Sequence, residues 1–154
     1  MVRLRQRYML CEITHASGDK FRTCTVSPKE VERAVRAQVL KMYGVYGSAL
    51  CRDITIKYFH APTGMVIFRF APQGQRCFGA AVTYTTIGEF HLSVKQVAGT
   101  CRTINKKLIQ LFRNDIAQAH IIFPKFEDSR AKLKESLAGE MLEQFESGEM
   151  AVTY

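Results

Sequence analysis

The string Gly99-Thr100-Cys101-Arg102-Thr103-Ile104-Asn105-Lys106-Lys107 has the makings of an anion site. A glycine lets the chain approach a ligand closely, and Thr100 or Thr103 can cap a helix. The free amides of a helix start, joined by Arg102, Lys106 and Lys107, attract a phosphate. The same string also describes a capped helix with a solvated positive face. Other cations stand where phosphates could be met: Arg3, Arg5 and Arg7 alternate near the start, Arg69 interrupts an apolar run, and Arg113 lies further along the segment opened by Thr103. Alternating arginines also protect a sheet edge from aggregation, and a strand arginine can sit in an ion pair or snorkel.

Groups suited to catalysis are sparse. Between the first apolar run and Pro124 the acids are Asp19, Glu30, Glu32, Asp53, Glu89 and Asp115, without the close carboxylate pair that a two-metal nuclease needs. His15, His60, His91 and His120 are widely separated, and no HExxH, GxSxG, P-loop or dinucleotide fingerprint is present. Cys11, Cys24, Cys51, Cys77 and Cys101 lack the short CxxC spacing of a zinc or thiol redox site, so reduced and mostly buried thiols are expected. No catalytic residue, no metal ligand and no protein-bound cofactor are assigned.

The 154 residues carry a formal charge of +8, with 47% hydrophobic and 23% charged residues, which excludes a chain disordered throughout. Residues 1–124 hold 18 basic and 7 acidic groups, whereas residues 125–154 hold 4 and 7. A basic body with a mildly acidic end points to a polyanionic partner such as RNA, DNA or an anionic membrane, with nucleic acid favoured, although basic domains with no such partner are also common. No apolar stretch approaches a transmembrane span, so a soluble protein with no membrane partner is expected.

The elements that must hold these residues follow from periodicity. Residues 2–14 alternate as a first strand. Ser27-Pro28-Lys29-Glu30 combines a hydroxyl cap, a proline at the first helical position and a carboxylate at the third, predicting a helix to about Tyr43. Val31, Ala34, Val35, Gln38, Val39 and Met42 form its buried stripe, and Gly44 and Gly47 stop it. Two strands follow, one carrying Ile54, Ile56 and Tyr58 on a single face and one from Met65 to Phe70, joined at Ala61-Pro62-Thr63-Gly64. Pro72, Gly74, Gly79 and Gly88 argue against regular structure in Ala71–Gly88, which leaves a loop and a short helix on the sheet over Arg76–Thr86 as alternatives; Phe90–Lys95 reads as a fourth strand, the segment from Thr103 as a long amphipathic helix ended by Pro124, and 127–146 as a weaker helix.

This is the split βαβ order of an α+β sandwich of the ferredoxin-like or RNA-recognition type, with added C-terminal helices. Residues 1–124 are read as that domain and 125–154 as a helical extension with an acidic tail. Tyr8, Tyr58, Phe59, Phe68 and Phe70 fall on strands where such folds stack bases, but the RNP patterns are absent. Core packing is the favoured role for each, and phosphate and shape recognition are expected rather than sequence reading.

Three blocks carry a resemblance: Val2-Arg3-Leu4-Arg5-Gln6-Arg7-Tyr8-Met9-Leu10-Cys11-Glu12, Tyr58-Phe59-His60-Ala61-Pro62-Thr63-Gly64-Met65-Val66, and Gly99-Thr100-Cys101-Arg102-Thr103 with Lys106-Lys107-Leu108-Ile109-Gln110. Together they resemble the small Pop-five protein subunits of ribonuclease P and ribonuclease MRP, across most of residues 1–115. The resemblance implies a protein that pairs with a larger barrel-shaped subunit and supports a large catalytic RNA. In that family the RNA, using Mg2+ in its own active site, removes the 5′ leader of precursor tRNA, and the relatives also serve rRNA processing. It further implies a nuclear, nucleolar location. The family's Arg/Tyr start falls on Arg3, Arg7 and Tyr8, and its Gly-Thr-x-Arg-Thr element on Gly99, Thr100, Arg102 and Thr103; neither is a catalytic signature. RNA contacts are therefore expected from Arg102, Lys106 and Lys107, extended by Arg3, Arg5, Arg7, Arg69 and Arg113, while apolar residues of the free sheet face and the last two helices dock protein. The opposing reading is a protein–protein scaffold of an RNA-processing complex with little direct RNA contact.

Overall fold

A computed structural model describes residues 5–17 and 25–122, with side chains in the last helix as far as Asn114. Arg3, Cys24 and the expected helix at 127–146 lie outside the described residues. The chain divides into two compact units, residues 1–104 and 105–154.

The first unit holds strand β1 (Arg7–His15), helix α1 (Pro28–Leu50), β2 (Thr55–His60), β3 (Met65–Phe70), helix α2 (Gln75–Thr83), β4 (Thr86–Ile87) and β5 (Phe90–Ala98). Helix α3 (Cys101–Ile122) begins in this unit and continues into the second. The strands form one antiparallel sheet in the order β2-β3-β1-β5-β4. With α1 and α2 as the crossovers, this is the split βαβ sandwich of the ferredoxin-like and RNA-recognition type. The short β4, absent from the sequence reading, extends the sheet by hairpin pairing of Thr86 with His91 and Ile87 with Phe90.

Alternation places Met9, Cys11 and Ile13 of β1 and Val66, Phe68 and Phe70 of β3 on the helical side. There they form one core with Val31, Val35 and Val39 of α1 and Phe78, Ala81 and Val82 of α2. Phe78 meets Phe68 edge-on at 5.3 Å and Phe70 at 4.7 Å between ring centroids. Leu10, Met65 and Ile67 point the other way and are buried too. An apolar β3 with a single interruption at Arg69 has the composition of a strand buried on both faces. The middle of the second face is therefore not the open docking surface expected from the sequence.

Helix α1 starts as predicted. Ser27 Oγ accepts the Glu30 amide at 3.3 Å and a Glu30 carboxylate oxygen accepts the Ser27 amide at 2.8 Å, a reciprocal capping box. These bonds hold the Glu30 carboxyl below its usual range. Their contribution is present above the unfolded-state pKa and is lost as pH falls through the lower folded one. Ser27→Ala should cost about 1 kcal/mol, read as a lower urea midpoint at neutral pH with an unchanged denaturant slope.

The helix does not stop at Gly44. That residue takes φ 61° and ψ −156°, kinks the chain, and helix resumes through a buried Gly47 to Leu50. The buried stripe ends at Val39: Met42 is exposed, as are Leu40, Tyr43, Val45 and Tyr46, because these turns run past the core. In β2 the register shifts between Ile56 and Tyr58, with Lys57 as the extra residue. A bulge sets two residues against one and turns the strand over. Ile56 and Phe59 consequently pack on the helical core, whereas Tyr58 pairs with Ile67 on the second face, correcting the expected Ile54-Ile56-Tyr58 alternation.

Candidate nucleic-acid interface

Antiparallel pairing brings the start of β1, the end of β3, the start of β2 and the end of β5 to one end of the sheet. Tyr8 pairs with Arg69 on one side and Ala98 on the other, and Arg69 also pairs with Thr55. Arg69 Nε donates to Thr55 Oγ1 at 3.2 Å, which anchors the stem of an arginine that interrupts the apolar run. Arg7 is exposed, and its guanidinium lies over Gly99: a Cβ built on that glycine would stand 2.8 Å from Arg7 Nη1. The arginine block at the amino terminus and the Gly-Thr block before α3 thus meet in space.

Thr100 is the cap of α3. Its Oγ1 accepts the Thr103 amide at 3.3 Å, its carbonyl accepts the Ile104 amide at 3.5 Å, and the two threonine hydroxyls lie 2.9 Å apart. The helix accordingly starts at Cys101, two residues before the expected Thr103. The cap occupies the Thr103 amide, so anion binding here falls more on side chains than on the full set of helix-start donors. Arg102 is exposed one residue into the helix, and Arg5 is exposed just before β1. Burial pushes the Cys101 thiol up, while nearby Lys57 pulls against that shift. Lys57 therefore joins the basic end of the sheet, a placement the sequence does not signal because it depends on the β2 bulge.

Ion pairing separates these cations from others. Arg36 donates to Glu32 at 2.9 Å and to the carbonyls of Ile54 at 2.7 Å and Arg52 at 3.2 Å, tying α1 to the start of β2. Lys95 meets Glu12 at 2.7 Å. Among the described residues, no carboxylate lies within ion-pairing distance of Arg5, Arg7, Lys57, Arg69 or Arg102. Like charges gathered at one strand end without counter-charges repel one another, and a polyanion relieves that repulsion.

The second unit carries the remaining basic candidates. Lys106 and Arg113 are exposed, and Lys107 is half-buried with Nζ donating to Gln110 Oε1 at 3.2 Å. Arg3 falls outside the described residues.

The aromatic strand residues offer no stacking platform of the usual kind. Phe68 and Phe70 are core residues, Phe59 packs against that core, and Tyr58 is stacked beside His60 with its hydroxyl pushed toward the neutral form by burial. Tyr8 is half-buried beside Arg69. What this end of the sheet offers a polyanion is charge and shape.

The opposite end of the sheet holds three histidines, each with a protein partner. His15 bonds Glu89 at 2.8 Å and Ser17 at 2.7 Å, His91 bonds Thr14 at 2.8 Å, and His60 bonds Thr63 at 2.8 Å. Among the described residues, no group of three or more histidines, cysteines and acids is arranged to hold a metal ion. Among the described residues, Cys11 and Cys51 are buried thiols, and Cys77 and Cys101 are half-buried. No helix among the described residues is long and apolar enough to cross a membrane.

Comparison with known proteins agrees with the sequence resemblance. The family model for Rpp14/Pop5 proteins matches residues 7–109. The chain is 31% identical to ribonuclease P/MRP protein subunit POP5 of Bos taurus, over 75% of this chain and 72% of that one. It is 28% identical to the Homo sapiens protein of the same name, over 98% and 97%. A chain in the cryo-EM structure of yeast ribonuclease MRP aligns with 75% of this chain and 96% of its own length, at 14% identity and a TM-score of 0.48. The matched region runs from the first arginine of β1 into α3 and takes in both halves of the basic strand end: the chain belongs to the Rpp14/Pop5 family.

Proposed function

We propose that this protein is a non-catalytic RNA-binding subunit of a ribonuclease P or MRP ribonucleoprotein. In that complex the large RNA performs the Mg2+-dependent removal of 5′ leaders from precursor tRNA and related rRNA processing, and the protein stabilises the RNA fold. The observation that carries this reading is the set of cations at one end of the sheet that have no carboxylate partner among the described residues, with Arg7 lying over Gly99 beside the start of α3. Arg5, Arg7, Arg69 and Arg102 bind phosphates there, and Arg3, Lys106, Lys107 and Arg113 add to the charge. The exposed Leu40, Met42, Tyr43, Val45 and Tyr46 of α1 suit contact with protein, here the larger barrel-shaped subunit. The site of action is the nucleus and nucleolus.

The test is purification of the tagged protein from its native cells, followed by a precursor tRNA cleavage assay before and after digestion of the bound RNA. Leader removal that disappears with the RNA is the expected result. Cleavage that survives complete digestion would assign the chemistry to protein, and a preparation with protein partners but no RNA would favour the scaffold reading.

A further inference from the structure

We propose that Gly99 is a positioning residue for RNA binding: the missing side chain leaves a seat for the Arg7 guanidinium, and that seat aims Arg7 at a phosphate beside the start of α3. The inference rests on the RNA-binding reading above and adds to it a residue that touches no ligand.

The backbone does not demand glycine at this position. Gly44, Gly64 and Gly88 take positive φ angles that side-chain-bearing residues rarely adopt, whereas Gly99 is not among them. What distinguishes Gly99 is the space above it. A Cβ there would stand 2.8 Å from Arg7 Nη1 and 3.9 Å from Arg7 Cζ, and among the described residues beyond its two chain neighbours it would meet no other side chain or backbone within 4 Å. Other glycines face unyielding neighbours: a Cβ at Gly64 would meet the Ile13 carbonyl oxygen at 2.6 Å, and one at Gly74 the Leu50 carbonyl oxygen at 2.8 Å. Among the described residues, adding a methyl group at Gly99 therefore displaces the far end of a flexible arginine and leaves the backbone of the sheet as it is.

The pairing of β1 with β5 runs out at Tyr8 and Ala98, so Arg7 and Gly99 are the next residues on each strand, and the Thr100 cap and the exposed Arg102 follow Gly99 along the chain. An arginine side chain has many rotamers and loses that freedom when it grips a phosphate. Holding it beforehand against a flat glycine reduces the loss and sets the direction of the planar fork.

The test uses the full-length chain and fluorescence anisotropy with unfractionated tRNA as the probe, across a salt series. Gly99→Ala should keep the melting temperature of the parent, bind roughly 3- to 10-fold more weakly, and lower the slope of log affinity against log salt by roughly one, as Arg7→Gln does. In the Arg7→Gln background, Gly99→Ala should have no further effect, because the group it displaces is gone. Parent-like affinity and slope for Gly99→Ala beside a weakened Arg7→Gln would overturn the seat and leave the RNA-binding reading standing. Additive losses in the double variant would also overturn it. Parent-like binding by Arg7→Gln would overturn both the seat and the assignment of Arg7 to a phosphate.

Discussion

Replacing Arg7, Arg69 and Arg102 together with glutamine is expected to weaken RNA binding by roughly one to two orders of magnitude near physiological salt, while the protein stays folded. The slope of log affinity against log salt should fall by about two to three, since each lost phosphate contact removes roughly 0.7–0.9 from it. The effect is large because the three side chains come from β1, β3 and α3 and are concentrated where four strand ends converge. It is confined to binding because none has a carboxylate partner among the described residues, and only Arg69 has a side-chain hydrogen bond, to Thr55. Arg36→Gln is the matched control. That arginine is spent on Glu32 and on two backbone carbonyls, so its loss should lower the unfolding midpoint and leave the salt slope unchanged. Equal salt slopes for the parent and the triple variant would remove the strand end from the list of phosphate contacts.

Phe68→Ala is expected to produce the largest loss of stability among single core truncations, about 3–5 kcal/mol. Phe68 is fully buried at the middle of β3, packs edge-on against Phe78 of α2, and stands between Ile56 and Met9 across the sheet. The cavity opened by truncation is bounded by strands paired on both sides, which cannot collapse into it without breaking the ladder. A domain with the usual 5–15 kcal/mol of total stability would then be marginal, unfolding at much lower urea and losing RNA binding with its fold. Phe59→Ala, at the partly buried edge of the same core, should cost less. If urea titration placed Phe68→Ala within 1 kcal/mol of the parent, roughly the cost of a minor surface change, the packing account of this core would fail.

Much of the fold was legible along the chain because local periodicity reports which face of an element is buried. The capping box at Ser27 and Glu30 and the apolar stripe through Val31, Val35 and Val39 appear as read, and so does the uninterrupted apolar run of β3. The departures have local causes that periodicity does not carry. Gly44 accommodates a kink instead of ending α1, since helical backbone bonding resumes beyond it and runs on to the cap at Cys51. The β2 bulge at Lys57 reverses the facing of Tyr58, which no alternation rule anticipates. β4 has two residues, too few to show any period.

The candidate site divides in the same way. Residue types and spacing were enough to draw attention to Gly99, Thr100, Arg102 and Thr103, to the alternating arginines that include Arg7, and to Arg69 as the interruption of an apolar strand. Those are properties of short segments. Tertiary structure alone decided that Arg7 rests on Gly99, that Thr55 steadies Arg69, that Lys57 approaches Cys101, and that Arg36 and Lys95 pair with carboxylates while the strand-end arginines meet none among the described residues. The reason is the strand order. A sheet that inserts β1 between β3 and β5 fixes neighbours through the register of distant segments, and a cation is available to a polyanion only if that register has left it without a carboxylate.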